Sequence, residues 1–179
     1  MKWKAYIPAL GAPLLAAAVV GIAAFAFDGL QTLRADQELH DQLNRLLPDS
    51  AVFTHKAGDG DEVLALYEGS GGTVVQVRSR GYVYDVEMLV AVDDRGRVTG
   101  LVVRDAHETP WLGSDILRDH VFLARFLKTE GQAQIGSEIP PITGATVSSR
   151  AVSRCVSAAV AAVTGVDVPS QATPWGDAP

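Results

Sequence analysis

The sequence is poor in the residues that crosslink chains or hold metals. Cys155 is the only cysteine, so no disulfide closes within the chain and no cysteine-held zinc or iron–sulfur site can be built from it alone. The four histidines, His40, His55, His107 and His120, are scattered, and none forms a short-range pair with ligand spacing. No serine stands in a Gly-x-Ser-x-Gly elbow, which removes the common hydrolase signature. Basic residues are also few. Fifteen Lys and Arg against 21 Asp and Glu leave a net charge of -6, which argues against a nucleic-acid surface. There is no internal repeat.

What the chain does have begins at residue 5. An uncharged apolar run from Ala5 to Phe27 follows "MKWK". About 20 residues at 1.5 Å each cross a hydrocarbon core of roughly 30 Å, so the run is long enough to span a membrane. Lys2 and Lys4 favour a cytoplasmic tip, which places everything after Asp28 on the far side. The competing reading is a cleaved signal peptide, since Ala24-Phe25-Ala26 fits a small-x-small site, although this apolar run is longer than a usual signal core. The expected organisation is a tip and single transmembrane anchor over 1–28, an amphipathic stalk helix over 29–49, one domain over 50–166 and a loose tail over 167–179. Leu30, Leu33, Leu39, Leu43, Leu46 and Leu47 set the stalk's period, and Pro48 ends it.

The domain reads as α+β. "AVFTHKA" and "EVLALYEG" are short strands split by "GDGD", and "GTVVQVRSRGYVYDVEMLVAVDDRGRVTGLVVRDAH" reads as three more, with a tight hairpin at Asp93–Gly96. Alternation around Val90 and Val92 predicts a twisted antiparallel sheet with one face on a core. Tyr82 and Tyr84 share a strand face and are expected to pack on the sheet. "SDILRDHVFLARFLKTE" predicts a helix capped by Ser114, with Ile116, Leu117, Val121, Phe122 and Phe126 on its inner side. A last helix, rich in Ala and Val, closes at Gly165 and holds Cys155 as a buried structural thiol.

In front of that last helix stands "ITGATVSSRA". Gly144 permits a turn or a close approach, and hydroxyls and free N–H groups gather at the helix start. Such a site serves either as a plain Ser/Thr N-cap or as a cradle for phosphate at the positive end of the helix dipole. Arg150 and Arg154, one turn apart, are candidates to add charge there. Upstream, "HETP" is either a turn fixed by Pro110 with Glu108 in solvent, or a polar pair at a site.

Thr143-Gly144-Ala145-Thr146 followed by Val147-Ser148-Ser149 resembles the flavinylation motif of the FMN-binding domain family. That family includes the G subunit of Rnf electron-transport complexes and the C subunit of the sodium-pumping NADH:quinone reductase. "HETPWLGSDI" is similar to a second block of the family, and "RGYVYDVEMLVAVDDRGRVTGLVV" to a third. Together they cover roughly residues 80 to 160 in the expected order. The resemblance implies FMN joined through its phosphate to Thr146 by a separate flavin transferase. Thr143, Gly144, Ala145, Val147 and Ser148 would surround the phosphoryl end, with Glu108, Thr109, Leu112 and Gly113 on a facing loop. It also implies other subunits of a membrane redox complex as partners, lipid contact through residues 5–27, and a periplasmic domain on a bacterial inner membrane. No metal and no stand-alone catalytic residue are expected. Two positions depart from the pattern. Pro140 replaces an Asp, and Trp111 replaces a Gly. They motivate the alternative of a flavin-free structural or regulatory subunit.

Overall fold

The computed structural model describes residues 33–106, 119–130, 135–136 and 138–166. The apolar run 5–27 and the tail 167–179 lie outside them. Among the described residues no helix is long and apolar enough to cross a membrane.

The chain divides into two compact units at residues 41 and 42. Residues 33–46 are helical (α1), and in the first unit the side chains from Leu33 to Glu38 are exposed. The second unit begins at Gln42, so the last turn of α1 is part of the domain. Leu43 and Leu47 are buried there. Leu46 stands over Gly100, where any added Cβ would lie 2.8 Å from its methyl.

Five strands follow: β1 (Thr54–Ala57), β2 (Val63–Gly69), β3 (Gly72–Arg80), β4 (Asp85–Val92) and β5 (Val98–Ala106). They form one antiparallel meander in the order β1-β2-β3-β4-β5, as the hairpin reading of the sequence predicts. The β4–β5 turn is clasped by Asp93. Its carboxylate accepts from the N–H groups of Arg95 (2.9 Å) and Arg97 (2.8 Å) and takes the Arg97 guanidinium at 2.8 and 3.0 Å. Desolvation acts to raise the Asp93 pKa, but these donors outweigh it and hold the carboxyl below its ordinary range. Gly96 ends the turn with φ 79°.

The expectation of one buried face is corrected by the structure. Val86 and every residue from Met88 to Val92 are fully buried, so β4 is covered on both faces. Successive residues point to opposite faces. Val75, Val77, Val86, Met88, Val90 and Val92 join the cluster under the final helix. Val74, Leu89 and Ala91 point the other way, toward the side where α1 ends. That second face also carries a polar ladder across the sheet. Tyr67 donates to Gln76 Oε1 (3.1 Å), Gln76 donates to Glu87 Oε1 (2.7 Å), and Arg104 Nη1 stands 3.6 Å from the same oxygen.

Between the sheet and the motif lies a short helix, α2 (His120–Ala124). Ser114, Ile116 and Leu117 lie outside the described residues, so the longer predicted helix is tested only from Asp119 onward. There the cap is Asp119, accepting from Val121 N (2.9 Å) and Phe122 N (3.1 Å). Phe122 and Phe126 are buried edge to face, with centroids 5.4 Å apart. The helical period places Val121 on the same inner side, but it is 69% exposed. After α2 the chain continues through three-residue turns, with Arg125, Phe126 and Leu127 N–H donating to the Phe122, Leu123 and Ala124 carbonyls. Lys128 takes φ 66°, and residues 128–129 bond to Val98 at the start of β5.

Tyr82 and Tyr84 are likewise not in the sheet. They lie in the β3–β4 turn, 57% and 56% exposed.

Candidate functional site

The final helix, α3 (Thr146–Thr164), is buried almost all round. Apart from the half-buried Val147, its exposed or half-buried residues between Thr146 and Val160 fall at Thr146, Arg150, Arg154 and Ala158. That four-residue step marks one outward stripe. Its inner side packs on β3 and β4, with Val152, Cys155, Val156, Ala159 and Val160 in the core.

Three contacts orient this helix on the sheet. Arg154 reaches the end of β3, donating from Nε to Ser79 Oγ (2.7 Å) and from Nη2 to the Arg80 carbonyl. Cys155 Sγ lies 3.7 Å from the Val86 carbonyl at the start of β4. At the other end, a side chain on Gly96 would collide with the Thr164 methyl at 2.6 Å. So α3 runs from the β3–β4 end toward the β4–β5 hairpin. Thr146 stands nine residues before Cys155, about 13 Å along the axis, on the β3–β4 side. β5 ends at that same side, where Ala106 pairs with Val86. The chain therefore enters the His107–Gly113 segment from the end of the sheet that faces Thr146. Glu108, Thr109, Trp111, Leu112 and Gly113 themselves lie outside the described residues.

The motif forms a tight turn into the helix. Ala145 N–H donates to Ile142 O (2.9 Å), closing a four-residue turn whose third residue, Gly144, has φ 81°. That positive φ is what a type II turn demands at this position and what glycine adopts without strain. Ser149, fully buried one turn on, locks the turn from below. Its Oγ donates to Ala145 O (2.9 Å) and accepts from Ile142 N (3.2 Å). Ser149→Ala is expected to cost about 1–3 kcal/mol, because Ile142 N–H then loses its acceptor inside the protein. Denaturant midpoints and faster exchange of the Ile142 amide report it. Unchanged midpoint and exchange would show that the turn does not depend on this hydroxyl.

The plain-cap reading fails. The N-cap position belongs to Ala145, φ -134°, and no side chain caps the helix. The N–H groups of the first turn thus meet no side-chain cap from the described residues. Thr143, Gly144 and Thr146 are exposed around them, Val147 is half-buried, and Ala145 and Ser148 are buried. The sequence also offers Arg154 as extra charge for this site. The structure commits it instead to Ser79 and Arg80, where burial lowers its pKa. Arg150 remains exposed. Cys155 is wholly buried, and burial pushes its thiol far above the ordinary range, with the Arg154 charge offsetting only part.

A cleft of about 620 Å³ lies elsewhere, between residues 57–66 and the stretch of α3 from Arg154 to Ala162. It contains none of the motif residues. The uncapped helix start is the stronger candidate, because its first-turn N–H groups meet no side-chain cap, whereas Arg154 in the cleft already bonds to Ser79 and Arg80. Among the described residues no group of His, Cys, Asp and Glu is arranged to hold a metal ion.

Fold and site together define a class: a small α+β domain with an uncapped helix start beside the exposed hydroxyls of Thr143 and Thr146, an arrangement of the kind that suits an anionic group. Comparison with known proteins gives that class its family. The FMN-binding domain family matches residues 81–161. The G subunit of the proton-translocating ferredoxin:NAD(+) oxidoreductase complex of Clostridium ljungdahlii is 35% identical over 136 residues, covering 71% of this chain and 73% of the relative. The G subunit of the Na(+)-translocating ferredoxin:NAD(+) oxidoreductase complex of Acetobacterium woodii is 28% identical over 193 residues, 89% and 92% of the two chains. The G subunit of the ion-translocating oxidoreductase complex of Methanosarcina acetivorans is 29% identical over 150 residues, 73% and 77%. The chain belongs to the FMN-binding domain family.

Proposed function

We propose that this protein is a membrane-anchored flavoprotein subunit that carries FMN as a phosphoester on Thr146 and relays electrons within an Rnf-type ion-translocating complex. One observation carries the site: Thr146 is an exposed hydroxyl at the first residue of a helix that no side chain caps. A phosphoryl group fits there, because it supplies the acceptors that the first-turn N–H groups lack and suits the positive end of the helix dipole.

The residues divide the work. Thr146 Oγ would lose its proton and take the bond to phosphorus as the transferase breaks the bond between that phosphorus and the donor's leaving group. That group departs, so the chain would gain the mass of FMN less water. Gly144 and the Ser149-locked turn place Thr143 and the N–H groups of Thr146, Val147 and Ser148 where they would hold a phosphoryl group. Glu108, Thr109, Leu112 and Gly113, which lie outside the described residues, would contribute to holding the ring. When bound, the isoalloxazine supplies the redox chemistry, and the protein supplies placement and electrostatics. A covalent link also keeps the cofactor from diffusing away on the far side of the membrane.

In this reading residues 5–27 anchor the chain once in a bacterial inner membrane, with the domain on the periplasmic side. Its partners are the other subunits of the complex, and a flavin transferase matures it. The relatives, each a G subunit of an ion-translocating oxidoreductase complex, and the ordered family blocks support this assignment.

The test is co-expression with a flavin transferase, followed by denaturation and gel filtration of the purified chain. Flavin absorption that stays with the unfolded polypeptide supports the covalent reading. Flavin released on unfolding would reduce it to a non-covalent site. No flavin in either fraction would favour the flavin-free structural subunit, for which Pro140 in place of the family's Asp is the motivating feature.

A further inference from the structure

Two arginines follow the motif on the outward stripe of α3, and the structure separates their roles. Arg154 is committed to β3 through Ser79 and Arg80. Arg150 is exposed, and none of the salt bridges among the described residues involves it. It sits four residues after Thr146, the spacing that makes side chains neighbours on a helix, about 5–6 Å apart at Cβ. Its charge also repels that of Arg154. Among the described residues, then, a cation without a carboxylate partner stands one turn beyond the hydroxyl, on a chain whose net charge is -6.

We propose that Arg150 is the counter-charge of the phosphodiester on Thr146, a positioning residue that pairs with the phosphoryl oxygens and holds them over the helix start. The proposal rests on the functional reading above. It follows from charge balance at one end of α3. The helix dipole and first-turn N–H groups favour an anion from below, and Arg150 closes on it from the outer face. Its guanidinium also offers paired donors of a shape that matches phosphate oxygens. Arg154 cannot take this role without releasing Ser79 and the Arg80 carbonyl.

The experiment compares apo and FMN-loaded full-length chain, in detergent, for the wild type, Arg150→Gln and Arg150→Lys, with intact mass confirming the load. At low salt the apo forms are expected to melt within about 1 °C of each other, since Arg150 is exposed. Loaded Arg150→Gln is expected to melt about 1–3 °C below loaded wild type, with Arg150→Lys, which keeps the charge but not the paired donors, recovering part of the difference. In 1 M salt, where the Debye length is about 3 Å, the difference should close. A purely structural arginine would lower the apo form equally and keep its effect in salt. Loading that fails in Arg150→Gln but succeeds in Arg150→Lys would also support the proposal. Equal melting of loaded wild type and Arg150→Gln at low salt would overturn it while leaving the FMN site intact. A wild-type chain that takes no FMN would sink the functional reading, and this proposal with it.

Discussion

Thr146→Ala is expected to abolish covalent FMN outright. Intact mass should show the wild-type chain gaining FMN less water after co-expression with a flavin transferase, and the variant gaining nothing. The effect is all or none because the substitution removes the side-chain oxygen proposed to bond to phosphorus. Thr143 is exposed beside it but sits within the turn, before Gly144, and not on the helix. Stability should hardly change. Thr146 is exposed and makes no cap to the helix, so the apo variant should unfold within about 0.5 kcal/mol of wild type. That contrast separates loss of the acceptor from loss of the fold. A variant that still gained the full mass would move the attachment to another hydroxyl, with Thr143 the first to examine.

The second large effect lies away from the site. Phe126→Ala is expected to destabilise the domain by about 3–5 kcal/mol. Phe126 is fully buried, meets Phe122 edge to face, and belongs to the same core cluster as Val92, Val98 and α3. The backbone beside it is held to Val98 through Lys128 and Thr129, so the gap cannot close by simple collapse. For a chain of this size the loss corresponds to roughly 10 °C in melting temperature. Thermal unfolding of the apo protein measures it. A drop of less than about 3 °C would mean that the segment after α2 is a loose cover and not part of the core. Below its melting point the variant should still take FMN on Thr146, since Thr146 is exposed and Phe126 lies in the core.

The sheet was largely legible in the sequence because hairpins announce themselves locally. Asp93–Gly96 and the Gly-rich breaks before β2 and β3 delimit strands whatever lies above them. What covers the strands was not legible. β4 reads as half-buried from its own pattern, yet both its faces are covered, and that depends on where the end of α1 and α3 settle. Val121 shows the same limit, since a helical period places it inward only if the helix continues, and this one stops after five residues. Tyr82 and Tyr84 look like strand residues by composition, but the chain turns there.

At the site, a turn at Gly144 ahead of a helix was readable from the motif, but the helix opens at Thr146, three residues before the Ala/Val-rich stretch that begins at Ser149. Three further features were not readable. An alanine at the N-cap carries no signal in a stretch crowded with better cappers. Ser149 looks like one more hydroxyl for a ligand, whereas it bonds inward to Ile142 and Ala145. Arg154 could be assigned to β3 only once Ser79, 75 residues away in the chain, lay beside it.

The packing of α3 has one consequence for the working life of the protein. Flavins that meet oxygen leak peroxide, and the side chains at greatest risk are those with sulfur. Among the described residues these are Cys155 and Met88, and both are fully buried. Oxidation of cysteine proceeds through the thiolate, which burial of Cys155 suppresses. The domain proposed to hold the flavin therefore keeps its sulfur out of reach of its own by-products, and should tolerate peroxide doses that spoil proteins with exposed thiols.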